Sequence, residues 1–177
     1  MPLAILGLPL YIYLPTYYSV NLGVSMASVG AILFLARLSD VISDPIFGYI
    51  SDLSQKIFDS KKPLMLLGII ILILSFYLLI NPDKEYASIY LFIGSILVYS
   101  SWSMIYIPYL TWSAEITDNY YGKNKLNASR EIFTILGLIT ALVVPYLFTT
   151  SENIQRNLEI LFILFLLLII PLSLITF

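Results

Sequence analysis

Long apolar runs and short polar joints alternate along this chain. The runs fall at residues 3–20, 25–50, 63–80, 87–113, 128–149 and 158–177, and each is continuous rather than alternating in twos. A helix needs about 20 apolar residues to cross the hydrocarbon core of a bilayer. Only helices and closed barrels satisfy the backbone in lipid, and barrel strands read as runs of about ten residues with alternating faces. The pattern predicts an all-α polytopic membrane protein, a bundle of six transmembrane helices. Residues 1–177 are expected to form one unit, with no long linker or low-complexity stretch.

The joints carry turn formers: "NPDKE" at 81–85, "TDNYYGKNKLN" at 117–127 and "TTSENIQRN" at 149–157. Lys56, Lys61 and Lys62 lie between the second and third runs, and Lys123 and Lys125 between the fourth and fifth, with Arg130 close behind. The joint between the first two runs holds no Lys or Arg, and the remaining joints set Lys84 and Arg156 beside acidic residues. Lys and Arg collect in cytoplasmic loops. Both termini are therefore expected in the cytoplasm, with the bundle in the plasma membrane (the inner membrane if bacterial). The first run follows Met1 directly, without the positive region and cleavage site of a secretory signal. It is expected to stay as the first helix.

Composition narrows the chemistry. The chain is 59% hydrophobic and 11% charged, against about 25% charged in an ordinary soluble domain. The lipid bilayer is thus the expected surroundings. The absence of cysteine removes disulfides and thiolate metal sites, and the absence of histidine removes His-based catalysis and His-metal ligation. Net charge is −2, with no basic patch to attract nucleic acid.

Against that background, "RLSDVISDPIFG" in the second run stands out. Asp40 and Asp44 are four residues apart and share a helix face, and Arg37 continues the same stripe one turn earlier. A charge at membrane depth costs at least about 2.5 kcal/mol, and two neighbouring carboxylates repel. Either one binds a proton or a cation sits between them. Arg37 offsets one negative charge, and a coupling Na⁺ or H⁺ would neutralise the other. The oxygens of Asp40 and Asp44, with the Ser43 hydroxyl, suit a hard cation such as Na⁺. The plainer reading is a structural Arg37–Asp40 pair at a helix end, with Asp44 hydrated at the interface. Pro45 follows Asp44, and its missing N–H is expected to kink the helix, either opening a carbonyl to an ion or only serving packing.

The fourth run is aromatic: Trp102, Tyr106, Tyr109 and Trp112. Such residues form interfacial belts, or, when they face the bundle interior, stack on a sugar ring or apolar ligand. Trp102, Tyr106, Tyr109 and the fifth-run Arg130 are the candidate substrate contacts. Glu115, Arg130 and Glu131 flank the fourth joint and either form a charge network that locks one state or are ordinary solvated helix ends. Asp52 reads as a helix-end charge, grouped with Arg37 and Glu115 as a candidate gating residue. "NAS" at Asn127 matches a glycosylation sequon but falls on the expected cytoplasmic side.

The stretches "RLSDVISDPIFGYISD" and "IPYLTWSAEITDNYYGKNKLNASREIFTILG" resemble the N-terminal six-helix half of a glycoside–pentoside–hexuronide:cation symporter. This is the melibiose-carrier-like family of the major facilitator superfamily. The resemblance covers nearly the whole chain. It implies that Asp40 and Asp44 are cation-site aspartates, with Ser43 and the Ser103 hydroxyl in the same site. It also places Arg130 near the solute. The family's sugar-binding aspartates fall near Ala4 and at Tyr106, and the neighbouring tryptophan at Leu110, so the solute wall differs in kind from that of the sugar carriers. The family fold has twelve helices, which implies a second six-helix half as partner.

The resulting expectation is a secondary active transporter, or its N-terminal half, moving a small organic solute such as a sugar or glycoside with a cation by alternating access. No cofactor is expected beyond the coupling ion. A truncated or split non-transporting membrane fragment or assembly partner is one rival. An intramembrane aspartyl protease is a remote one, because its two carboxylates need to face each other from separate helices and here both lie on one.

Overall fold

A computed structural model describes residues 2–115, 119–148 and 153–176. Among them there is no strand, and six helices are long and apolar enough to cross a membrane. The first spans Pro2–Asn21 and the second Met26–Phe58. The third is Lys62–Ile80, the fourth Ala87–Glu115, the fifth Tyr120–Phe148 and the sixth Ile154–Thr176.

The first helix contains two wide π turns, Pro9–Tyr13 and Tyr17–Asn21. Pro9 and Pro15 remove amide donors from the ladder, and the wider i→i+5 pattern takes over locally, as when the Leu14 N–H donates to the Pro9 carbonyl. At its far end the Tyr17 and Tyr18 hydroxyls donate to the Ile80 and Leu79 carbonyls at 3.2 and 3.0 Å. Those carbonyls belong to the last turn of the third helix, where no intrahelical donor remains. The first helix is thereby tied to the third by its own buried side chains.

The second helix starts at an N-cap, with the Ser25 hydroxyl accepting from the Ser28 N–H at 3.1 Å. It consists of two segments, Met26–Leu38 and Asp40–Phe58, joined by a turn at Ser39. The interruption is therefore not at Pro45, which lies inside a continuous helical segment. At the break the Ser39 N–H donates to the Ala36 carbonyl at 3.2 Å, a tightened i→i+3 bond, and the Ser39 hydroxyl donates to the same oxygen at 2.6 Å. Pro45 sits in the second turn of its segment, where it withholds the N–H that would bond the Val41 carbonyl, yet the segment continues to Phe58. The helix also runs past Ile50 to Phe58, because its polar end continues as an amphipathic helix with Ser51 and Ser54 buried. Asp59 in the left-handed conformation (φ 51°) ends it. The fifth helix likewise begins at Tyr120, ahead of its apolar run, where the Asn119 side chain accepts from the Tyr121 N–H.

The third and fourth helices pack closest, and two glycines permit it. A Cβ on Gly68 would lie 2.9 Å from Ile105, and one on Gly94 would lie 2.6 Å from Leu79. The fourth helix packs on the second with its other side, the first packs on the fifth and sixth, and the sixth also meets the third. Leu14, Tyr18, Phe76, Leu91 and Phe165 form the centre of the core, where Phe76 stacks on Phe162 with ring centroids 5.5 Å apart. Burial is uneven. Half of the apolar window of the third and of the fourth helix is buried, but only 11% of the second and 17% of the fifth. The two least covered helices carry the residues of greatest chemical interest.

Candidate functional site

The charged stripe of the second helix faces the fourth. Arg37 Nη1 lies 3.2 Å from Asp40 Oδ2. Its guanidinium carbon sits 5.1 Å from the centroid of the Tyr99 ring, within cation–π range. One turn along, the Ser103 hydroxyl donates to Asp44 Oδ1 at 2.5 Å. Tyr99 and Ser103 are four residues apart, so one face of the fourth helix serves both acidic residues. The Ser39 turn immediately precedes Asp40 and directs this register.

Two oxygens in this cluster are buried without a hydrogen-bond partner, Asp40 Oδ1 and Ser43 Oγ. Buried polar atoms are almost always satisfied; among the described residues Ser51 Oγ, Ser95 Oγ and Asn157 Oδ1 share this state. Among the described residues no group of three or more acidic residues converges. Of the expected cation ligands, Asp44 and Ser103 are in direct contact, and Asp40 and Ser43 lie on the same helix within four residues of Asp44.

The structural Arg37–Asp40 pair and the open oxygens occur together. Arg37 occupies one oxygen of Asp40, and the other is left over.

The expected solute contacts are brought together only partly. Tyr109 and Arg130 line a cavity of about 90 Å³ with Trp112, Leu126 and Asn127. Tyr106 is 38% exposed and is not among the residues lining that cavity. Trp102 lies against the first helix, 3.6 Å from the position of a Cβ on Gly7, and packs on the core.

Glu115 and Arg130 belong to separate ion pairs rather than to one network. Glu115 Oε1 accepts from Lys61 Nζ at 2.6 Å. Arg130 pairs with the adjacent Glu131 at 3.5 Å. The Lys61 side chain is only 7% exposed, and with Glu115, Trp112, Gln55, Asp59 and Ser60 it borders a cavity of about 270 Å³. Asp52 is exposed and takes part in none of the ion pairs found among the described residues.

Sequence reasoning passed over Tyr99 and Lys61. The spacing of Tyr99 from Ser103 was a usable signal. Lys61 counted only as a topological charge, because nothing local in its sequence announces burial.

The profile of the family described as MFS/sugar transport protein matches residues 1–177. The chain is similar to an uncharacterized symporter of Synechocystis, at 29% identity over 144 residues, covering 76% of this chain and 26% of that protein. It is similar to an uncharacterized symporter of Bacillus subtilis at 29% over 149 residues, 80% of this chain and 32% of the relative. Human major facilitator superfamily domain-containing protein 12 is 24% identical over 157 residues, 82% of this chain and 33% of its own length. The matched region thus amounts to between 26% and 33% of these relatives. No solved structure matches the chain.

Proposed function

This chain belongs to the MFS/sugar transport protein family, an integral membrane family of transporters rather than enzymes, and from that premise we propose that it acts as the N-terminal half of a cation-coupled symporter. The solute is a small organic molecule such as a sugar or glycoside, and the coupling ion is Na⁺ or H⁺. The observation that carries this reading is the oxygen cluster where the second and fourth helices meet: Ser103 on Asp44, with Asp40 Oδ1 and Ser43 Oγ buried and unpartnered.

In this mechanism Arg37 balances one of the two carboxylates and the ion balances the other. An ion at Asp40 and Asp44 removes the repulsion within the stripe and draws the second helix against the fourth. Solute then binds between this bundle and a second six-helix half near the membrane midplane, with Tyr106, Tyr109 and Arg130 supplying the wall on this side, whereas Trp102 packs on the core. The short coverage of the relatives supports the need for that second half. Because both ligands favour the same state, each tightens the other by the same factor. The Lys61–Glu115 pair ties the end of the fourth helix to the joint between the second and third. It holds the bundle rigid as the halves rock in the plasma membrane, with both termini cytoplasmic.

The test is binding of radiolabelled Na⁺ to the reconstituted chain, with and without a six-helix partner, in wild type and Asp44→Asn across pH. Saturable binding lost in Asp44→Asn is the expected result. No Na⁺ binding together with no pH-linked protonation of the pair would overturn the reading, leaving Arg37, Asp40 and Asp44 as a structural cluster.

A further inference from the structure

We infer that Tyr99 is a positioning residue of the cation site: its ring confines the Arg37 guanidinium to one oxygen of Asp40 and so keeps the other oxygen open to the ion. The inference rests on the cation-site reading above.

The geometry has three parts. Arg37 reaches Asp40 through Nη1 and Oδ2, at 3.2 Å. Asp40 Oδ1 is buried and accepts no hydrogen bond. The guanidinium lies 5.1 Å from the centroid of the Tyr99 ring. A guanidinium is a planar fork that commonly grips both oxygens of a carboxylate. A two-pronged grip here would consume the charge and the coordinating capacity of Asp40 together. The Arg37 side chain is 57% exposed and has space to turn, whereas Tyr99 is 5% exposed and fixed in the bundle. The immobile ring therefore sets where the mobile cation rests. Attraction to the ring face competes with the second prong, and Arg37 stays a partial counterion. Without the ring, Arg37 becomes a full competitor of the ion it sits beside.

This predicts a dependence that runs through Arg37. Na⁺ binding is measured on the full chain in lipid nanodiscs for wild type, Tyr99→Phe, Tyr99→Leu, Arg37→Gln and the Arg37→Gln/Tyr99→Leu double variant. Tyr99→Phe keeps the ring and is expected to bind within about twofold of wild type. Tyr99→Leu is expected to raise the Kd at least tenfold. In the Arg37→Gln background the same leucine is expected to change nothing. Tyr99→Met, which fills the space flexibly without an aromatic face, replaces Tyr99→Leu if thermal melting shows that the leucine variant is unfolded.

A leucine effect that persists without Arg37 overturns the inference, because the ring then only packs two helices. Arg37→Gln that itself abolishes binding also overturns it, since Arg37 would then be a required member rather than a competitor. Wild type that binds Na⁺ while Tyr99→Leu and Tyr99→Met bind equally well sinks this inference alone. Wild type with pH-linked protonation of the pair but no saturable Na⁺ binding also sinks this inference alone, and wild type with neither sinks the cation-site reading and this inference with it.

Discussion

The fourth helix has two working sides, and they obey opposite rules. Toward the third helix it is apolar and closed, with Gly68 and Gly94 bringing the backbones so near that a methyl group would clash. Toward the second helix it meets an arginine, two aspartates and two buried oxygens without partners. The first contact is satisfied and has nothing left to bind. The second leaves two oxygens without a hydrogen-bond partner. A helix held firmly on one side can present reactive groups on the other without being displaced by their repulsion.

Substitutions on the two sides should separate binding from stability. The largest effect is expected from Asp44→Asn, which should abolish saturable Na⁺ binding, a loss of more than about 100-fold, while the melting temperature of the reconstituted chain holds. Gly94→Val attacks the other side. Overpacking against Leu79 should destabilise the bundle by about 1–3 kcal/mol, read as a fall in melting temperature before any specific effect on the ion.

Glu115→Gln leaves the buried Lys61 charge without its partner. The expected cost lies between the about 1 kcal/mol of exposed pairs and the about 3 kcal/mol of buried ones, because Glu115 itself is largely exposed. Chemical denaturation in mild detergent measures it, and Na⁺ affinity should not change. Ser103→Ala should weaken Na⁺ binding by about tenfold, the equivalent of one charge-assisted hydrogen bond, with little change in melting temperature. The smallest effect is expected from Tyr18→Phe, about 1 kcal/mol of stability through loss of the bond to Leu79, visible as faster hydrogen exchange in the last turn of the third helix. A stability mutant that changes ion affinity, or the reverse, would break the division between the two sides.

The helices were legible because hydropathy responds to the bilayer, and the six runs report it directly. Their ends were not. Helices continue past the apolar runs at 52–58 and 120–127, where polar sequence resembles a loop and only a cap or a left-handed residue such as Asp59 stops the chain. The break at Ser39 was hidden for a related reason. Serine is unremarkable in a helix, whereas Pro45 draws attention yet lies inside a continuous segment. The stripe of Arg37, Asp40 and Asp44 could be read from spacing, since helical periodicity determines which residues share a face. Long-range partners lie beyond that logic. A lone glutamate at 115 gives no sign whether it meets Arg130 or Lys61, because packing of distant segments chooses the mate. Ser103 was within reach only through the resemblance, which carries information about tertiary neighbours that local pattern lacks.

The wide turns of the first helix have a consequence for how the chain tolerates changes in length. A π turn is an α-helix with one residue too many, so each works as a reserve of one position. Deleting a single residue from Pro9–Tyr13 would let that turn relax to ordinary pitch, with the residues on either side still in register. Tyr17 and Tyr18 would keep their aim at Ile80 and Leu79. The same deletion from a regular α stretch, such as the third helix, would swing everything beyond it by roughly 100° about the axis, so the first helix should be the one that tolerates the loss of a residue.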